Sequence, residues 1–549
     1  MSQTRVGAAQ GERDIILRNS LLFTVVLCAL WIFPGLLGRD PWKPDEAYSF
    51  GLAYHMLQTG DWVVPALAGE PFMEKPPIFF LTAAFFAHIF QAWLPLHDGA
   101  RMATAFYMAL TFMLVGLSAR ELYSAGRGWL AVLVLMGCIG LVERAHAMIT
   151  DIAQLAGFAL AIYGLVLCLR RPVLGGLWLG TGAGLGFLAN GLLAPGCLGI
   201  IALALPAVSP TWRTRRYVGT LAVALVASLP WLLIWPIALH QRSPELFHEW
   251  LWVHNVGRFL GGPGGNAGYY FAVLPWYAFP AWPLAAWALW TGRREIRTNP
   301  GLILPLTAIV VIVTVLSLSS DAREFYAKPV LVPFALLAVP GLLSLRRSAA
   351  NGFWWFSILF FVFFLLVGWF YWSALDLGIP GPAHRHLLRM RPAYVPEFDL
   401  FKFALSIAYT AFFVWVLVRL RRSAERPMVA WATGVTMVWS LLTIFFWEYA
   451  DSRNSYRPLV IEVVHQLPPG HECISSQNLG EPQRALFEYF AGVVTYRQEA
   501  PSRRRDCDIL LVQGMRAGIY RPGPEWQQFW EGARPGDRRE LFRLYRRAG

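Results

Sequence analysis

Long apolar runs alternate with short polar stretches along most of the chain, and the runs are too long for strands. Thirteen of them, at about 20–37, 101–119, 128–147, 151–169, 174–189, 192–208, 217–239, 269–291, 302–318, 326–345, 353–373, 399–420 and 429–449, can each cross ~30 Å of hydrocarbon as a helix. Basic residues punctuate them in clusters: Arg170-Arg171, Arg213 to Arg216, Arg293 to Arg297, Arg346-Arg347 and Arg419 to Arg426. Such clusters stay on the cytoplasmic side. Counting back from the last one puts the tail from Asp451 outside, with Asp151, Asn190 and the 241–268, 319–326 and 374–398 loops.

One apolar run fails the parity test. With Arg13 and Arg18 inside, the 38–76 loop is outside, and the span at 101–119 must also start outside. The run Ile78 to Leu94 therefore does not cross. It opens on Pro76-Pro77 and carries His88 and Gln91, so 77–95 is expected to lie as a helix in the outer interface. The expected fold is an all-α polytopic membrane protein of about 13 transmembrane helices, N-terminus in and C-terminus out. The first run shows no small-residue cleavage site and is expected to remain as an anchor.

After residue 451 the pattern changes. Two short branched runs, Leu459 to Val464 and Ile509 to Val512, flank a helical pattern around Arg484 to Phe490, which predicts a small α/β domain over 452–549 on the outer face. Cys473 and Cys507 fall in this part. They would pair in an oxidising compartment and stay free otherwise.

Composition agrees with the pattern: 549 residues are 56% hydrophobic and only 15% charged, against about 25% charged in soluble domains. The net charge of +13 is accounted for by the loop clusters, and no basic domain with interleaved aromatics points to nucleic acid.

The candidate chemistry gathers at the outer ends of spans. In the 38–76 loop, Pro44-Asp45-Glu46 follows one span and Glu74-Lys75-Pro76-Pro77 precedes the interfacial helix, with Tyr48 between. A carboxylate there can orient a nucleophile or stabilise positive charge at a sugar carbon, and Lys75 can meet a phosphate. Asp151 opens a span after Thr150; an interfacial helix cap is the plain alternative. His254 and Arg258 would share a helix face, with Arg258 suited to phosphate, ahead of a glycine-rich stretch at 261–265. Asp321, Arg323, Glu324, Tyr326 and Lys328 form a further cluster, in which Lys328 either snorkels or contacts a lipid phosphate. Glu74 and His254 are also of the types that hold a divalent metal, although no tight ligand spacing supports one. No nucleotide-binding motif is present, and no cofactor is expected to be required.

Pro44-Asp45-Glu46, Gly60-Asp61-Trp62-Val63-Val64-Pro65 and Gly69-Glu70-Pro71-Phe72-Met73-Glu74-Lys75-Pro76-Pro77, with Thr150-Asp151, resemble the first outer loop and outer-face Asp of the protein O-mannosyltransferase-like membrane glycosyltransferases. Among these the resemblance is to the bacterial lipid A aminoarabinose transferases. It implies a GT-C type fold in which 1–451 is the glycosyltransferase domain. It implies a donor of 4-amino-4-deoxy-L-arabinose on undecaprenyl phosphate, a lipid A phosphate as acceptor, and resistance to polymyxin as the consequence. The setting would be the bacterial inner membrane with the active site facing the periplasm, in a monomer. By match, Asp45 takes the catalytic acidic position, joined by Glu74, Asp151 and Lys75; Tyr48, His254, Arg258, Tyr326 and Lys328 are, with Lys75, the residues expected to bind substrate. The chain departs from the pattern in three places. Ala47 precedes Tyr48 where an Arg is common, Met73 replaces an aromatic, and Asn190-Gly191 stands for Lys-Gly, removing an expected phosphate contact. Another polyprenyl-phosphate-sugar transferase and, from a different class, a lipid-linked sugar transporter or flippase are the rival readings; paired broken helices around midmembrane charges would mark the latter.

Overall fold

Helices occupy the apolar runs, and their interruptions carry the interest. The computed structural model describes residues 20–547 except 125, 143, 258–267, 320–321, 393, 501–504 and 519. Among the described residues, nine helices are long and apolar enough to cross a membrane, the first Leu96–Leu122 and the last within Arg426–Gln466. The other four expected spans are shorter or broken. Ser20–Ile32 and Leu193–Val208 are 13 and 16 residues long. The run at 128–147 breaks at Gly137 into Gly128–Met136 and Ile139–Val142, then leaves the helix altogether. The run at 269–291 divides into Tyr269–Tyr277 and Ala281–Thr291 at Pro280, which has no N–H to give the ladder. The two breaks satisfy each other, since Ile139 N–H donates to the Phe279 carbonyl at 3.1 Å. A non-helical peptide is tolerated at such depth when protein covers it.

The 38–76 segment, expected as a loop, contains a helix, Asp45–Thr59. Asp45 and Glu46 sit in its first turn, where the exposed N–H groups favour negative charge, and Gly60 closes it at φ 68°. A hairpin follows, β1 (Ala66–Leu67) and β2 (Glu70–Pro71), turning at Ala68-Gly69 with both residues at positive φ. Helix Ile78–Phe90 has 13 residues and so reaches only ~20 Å, too short to span. It packs on Leu96–Leu122, which starts earlier than its apolar run.

The C-terminal domain is a five-stranded sheet in the order β4-β3-β5-β7-β6, with β3 (Ile474–Gln477), β4 (Thr495–Arg497), β5 (Ile509–Met515), β6 (Trp526–Gly532) and β7 (Glu540–Arg547). β3 lies parallel to β4 and β5, and β7 antiparallel to β5 and β6. Helix Glu481–Ala491 forms the β3–β4 crossover, where the sequence predicted it. Leu459 to Val464 is helical, within Arg457–Gln466, and not a strand. Its five branched residues carry no period that separates strand from helix, and Pro458 in the first turn pre-sets a helical φ. Cys473 and Cys507 form a disulfide at the feet of β3 and β5.

The domain is seated on the Asp45 helix. Ala47 belongs to the same core as Tyr456, Leu486 and Phe487. Gly51 allows the close approach, because a Cβ there would lie 2.5 Å from the Cβ of Ala485.

Candidate functional site

A buried charge network fixes the start of the Asp45 helix. Arg39 pairs with Glu46 through both terminal guanidinium nitrogens, and Arg101 lies 3.6 Å from the same carboxylate. Arg101 also bonds Asp98 at 2.6 Å and the carbonyls of Arg39 and Asp40 at 2.8 and 3.0 Å. Burial pushes the Glu46 pKa up, but the charges of Arg39 and Arg101, their hydrogen bonds and the Met148 N–H outweigh it and hold the group at about 2. Met148 N–H donates to Glu46 at 3.1 Å. The second carboxylate of the Asp-Glu pair therefore faces inward and pins the irregular 144–149 segment, which leads directly into Thr150-Asp151.

Asp45 faces the other way, into a pocket of about 170 Å³. Arg144, from the segment that left the helix after Val142, donates to Asp45 Oδ2 at 2.9 Å, and the Tyr48 hydroxyl donates to Oδ1 at 3.2 Å. Burial first, then the negative charges of Asp45, Asp151 and Glu74, push the Tyr48 phenol far up, so it stays a donor. Ala47 precedes Tyr48 in this chain, and the cation beside Asp45 is Arg144. Across the pocket, Lys75 Nζ donates to Asn190 Oδ1, and Asn190 Nδ2 donates to Gln154 Oε1 at 3.0 Å. Asn190, standing where a Lys was expected, therefore anchors Lys75. The Lys75 ammonium also lies 5.9 Å from the Tyr326 ring centre.

Asp151 lines the same pocket and is 6% exposed, yet its Oδ1 has no hydrogen-bond partner among the described residues. Gln154 Nε2 is orphaned likewise. Buried polar atoms without partners are rare and costly, and here they mark places a ligand would fill. Glu74 and His254 complete the rim; His254 lies 3.6 Å from Glu249 within the π-helical turn Glu249–Val256, a geometry frequent at functional sites. Arg323 and Phe325 close the wall beside Tyr326. Three acidic side chains, Asp45, Glu74 and Asp151, thus share the pocket with three basic ones, Lys75, Arg144 and Arg323.

Of the nine residues assigned catalytic or substrate-binding roles from the sequence, the pocket gathers seven, Asp45, Tyr48, Glu74, Lys75, Asp151, His254 and Tyr326, and Arg323 of the 321–328 cluster joins them. Arg258, the glycine-rich 261–265 stretch and Asp321 lie outside the described residues. Lys328 does not line it; fully buried, its Nζ donates to the Phe325 carbonyl at 3.1 Å, so it braces the wall and does not snorkel. Arg144 was missed, although a basic residue closing an apolar run ahead of Asp151 is costly unless used, and that was its signal. Among the described residues, no group of three or more His, Cys, Asp or Glu is placed to hold a metal.

This geometry has relatives. Residues 74–235 match the family described as dolichyl-phosphate-mannose-protein mannosyltransferase. The whole architecture is similar to the crystal structure of ArnT from Cupriavidus metallidurans bound to undecaprenyl phosphate, with a TM-score of 0.73 at 17% identity over 96% of this chain and 97% of that one. Its apo form gives 0.72. The chain is a multi-pass membrane protein with the GT-C fold. In sequence it is similar to undecaprenyl phosphate-alpha-4-amino-4-deoxy-L-arabinose arabinosyl transferases, 29% identical over 348 residues to that of Pectobacterium atrosepticum and 28% over 446 residues to that of Pseudomonas aeruginosa. The first alignment spans 59% of each chain, under two thirds of the relative's length, and the second 78% of this chain and 75% of the relative.

Proposed function

We propose that the Asp45–Lys75 pocket transfers 4-amino-4-deoxy-L-arabinose from undecaprenyl phosphate to a lipid A phosphate, at the periplasmic face of the bacterial inner membrane, in a monomer. The observation that carries this reading is one pocket holding three acidic and three basic side chains, with the buried Asp151 oxygen left unpaired. Two phosphates and an aminosugar are the ligands whose charges complement that set. An acceptor phosphate oxygen attacks the anomeric carbon, forming the new C–O bond. The bond to the undecaprenyl phosphate oxygen breaks, and that phosphate leaves with the electron pair. A phosphate is already ionised near neutral pH, so no strong general base is required. Asp45, set by Arg144 and Tyr48, orients the attack and stabilises positive charge at the sugar carbon, while Asp151 suits the sugar's ammonium. Lys75 and Arg323 offset charge on the phosphates. The reaction needs no cofactor; Glu74 and His254 supply the two donors at the rim to which a divalent ion would bind.

Mass spectrometry of lipid A from cells with and without the gene tests the substrates. An added aminopentose mass that depends on the gene supports the proposal. An unchanged lipid A profile would redirect it to another polyprenyl-phosphate-sugar transfer.

A further inference from the structure

A second concave surface lies where the first outer segment, the last span and the C-terminal domain meet. Lys43 reaches it from just ahead of the Asp45 helix, Arg453 from the last turn of Arg426–Asn454, and Arg391 from the end of helix Gly381–Met390. Arg534 and Asp537, between β6 and β7, close a cleft of about 340 Å³. Four cations there face one carboxylate, and that carboxylate is already taken. Asp537 accepts from Arg534 at 2.6 Å and from the N–H groups of Arg539 and Glu540 at 2.9 and 3.2 Å. Glu540 beside it is likewise bonded, to Lys43 at 2.9 Å and Arg534 at 3.2 Å.

Arg391, stacked 5.6 Å from the Tyr449 ring centre, and Arg453 have no acid of their own. Neither has a carboxylate within ion-pair distance among the described residues, and the buried Nη1 of Arg391 has no hydrogen-bond partner there. Burial, followed by the charges of Arg453 and Arg534, lowers the Arg391 pKa despite the neighbouring Tyr449 phenol. Two guanidiniums crowded together without an acid make a site for an anion, and phosphate oxygens match their donors.

The surroundings favour a lipid over a free ion. Helix Gly381–Met390 buries none of its residues and sets Arg385 and Arg389 beside Leu387 and Leu388, the composition of a basic interfacial helix. Met390 at its end and Val395 and Phe398 past it are 52%, 71% and 53% exposed, ready to meet acyl chains.

We infer that this cleft binds the phosphate of an anionic lipid head group, separately from the Asp45–Lys75 pocket. The inference does not depend on the sugar-transfer reading. It is tested by titrating the purified full chain, in neutral detergent, with dioctanoyl phosphatidic acid, dioctanoyl phosphatidylcholine and inorganic phosphate, and counting bound species by native mass spectrometry. Phosphatidic acid should bind wild type and Asp45→Asn alike. Arg391→Gln or Arg453→Gln should weaken it by about tenfold, while Arg453→Lys retains most of the binding. Arg453 is only half-buried at a helix end, so its variants should melt like wild type and keep the test valid even where Arg391→Gln does not fold. Equal binding by Arg453→Gln, or no binding to wild type, would overturn the inference. Inorganic phosphate binding as tightly as phosphatidic acid would overturn the lipid assignment.

Discussion

At the residue scale, the Asp45-Glu46 pair divides its labour: one carboxylate faces the pocket and the other holds the frame. Removing the Arg144 charge takes a charge-assisted bond from Asp45, worth about 1.5–3 kcal/mol, so Arg144→Gln should lower turnover by roughly 10–150-fold. Tyr48→Phe removes one neutral donor, and a loss of about 5–10-fold is expected in initial rates of sugar transfer. Glu46 acts on stability and carries a pH signature. Its pKa falls from 4.5 unfolded to about 2 folded, so its contribution is complete above pH 4.5 and is lost as pH drops toward 2. Melting curves of the detergent-solubilised protein should show a decline over that acid window that Glu46→Gln lacks. Glu46→Gln should also melt lower than wild type at pH 7, because it leaves Arg39 and Arg101 buried without their acid. Asp45, Glu74, Lys75 and Asp151 were legible in the sequence because a charge at the end of an apolar run is expensive and so calls for a reason. Arg144 was hidden because the run containing it resembles a complete span until the break at Gly137 is known. The inward turn of Glu46 was hidden as well, since its partners Arg39, Arg101 and Met148 converge only in three dimensions.

At the scale of elements, the interruptions matter more than the spans. The break after Val142 is what frees Arg144 and lets Met148 reach Glu46. Hydrophobic pattern locates the runs but says nothing about where a run stops being helical, so by pattern alone the 128–147 and 269–291 segments are single helices. The Asp45–Thr59 helix was concealed among the polar residues of its loop, and its stabilisation comes from packing against the C-terminal domain. That packing gives a sharp prediction at Gly51. Alanine is the better helix former by about 1 kcal/mol, so propensity alone would raise the melting temperature. The contact at 2.5 Å with Ala485 should reverse the sign, and Gly51→Ala should melt lower than wild type. A close approach of the same kind joins Thr150–Leu167 to Pro172–Asn190, where a Cβ on Gly157 would sit 2.7 Å from the Gly186 nitrogen. This brings Gln154 and Asn190 together and, through them, holds Lys75.

For the whole molecule, the C-terminal domain is tied to the pocket-bearing segment at several points. Glu70 on the hairpin meets Arg484 and Arg497 at 3.0 and 2.9 Å, and Asp40 meets Arg457 at 3.0 Å. Replacing Cys473 and Cys507 by Ser should cost about 2–5 kcal/mol in a denaturation series of the full chain, with the loss confined to this domain. The sequence identified the overall class through run length and loop charge, while the seating of the domain on the Asp45 helix depended on long-range contacts that no local pattern encodes. The central claim, that the Asp45–Lys75 pocket performs the transfer, is met most directly by reconstituting the purified full chain with undecaprenyl-phosphate aminoarabinose and lipid A and comparing initial rates for wild type and Asp45→Asn. The account predicts a loss of about 10²–10⁴-fold in Asp45→Asn with its fold intact; transfer at the wild-type rate would contradict it.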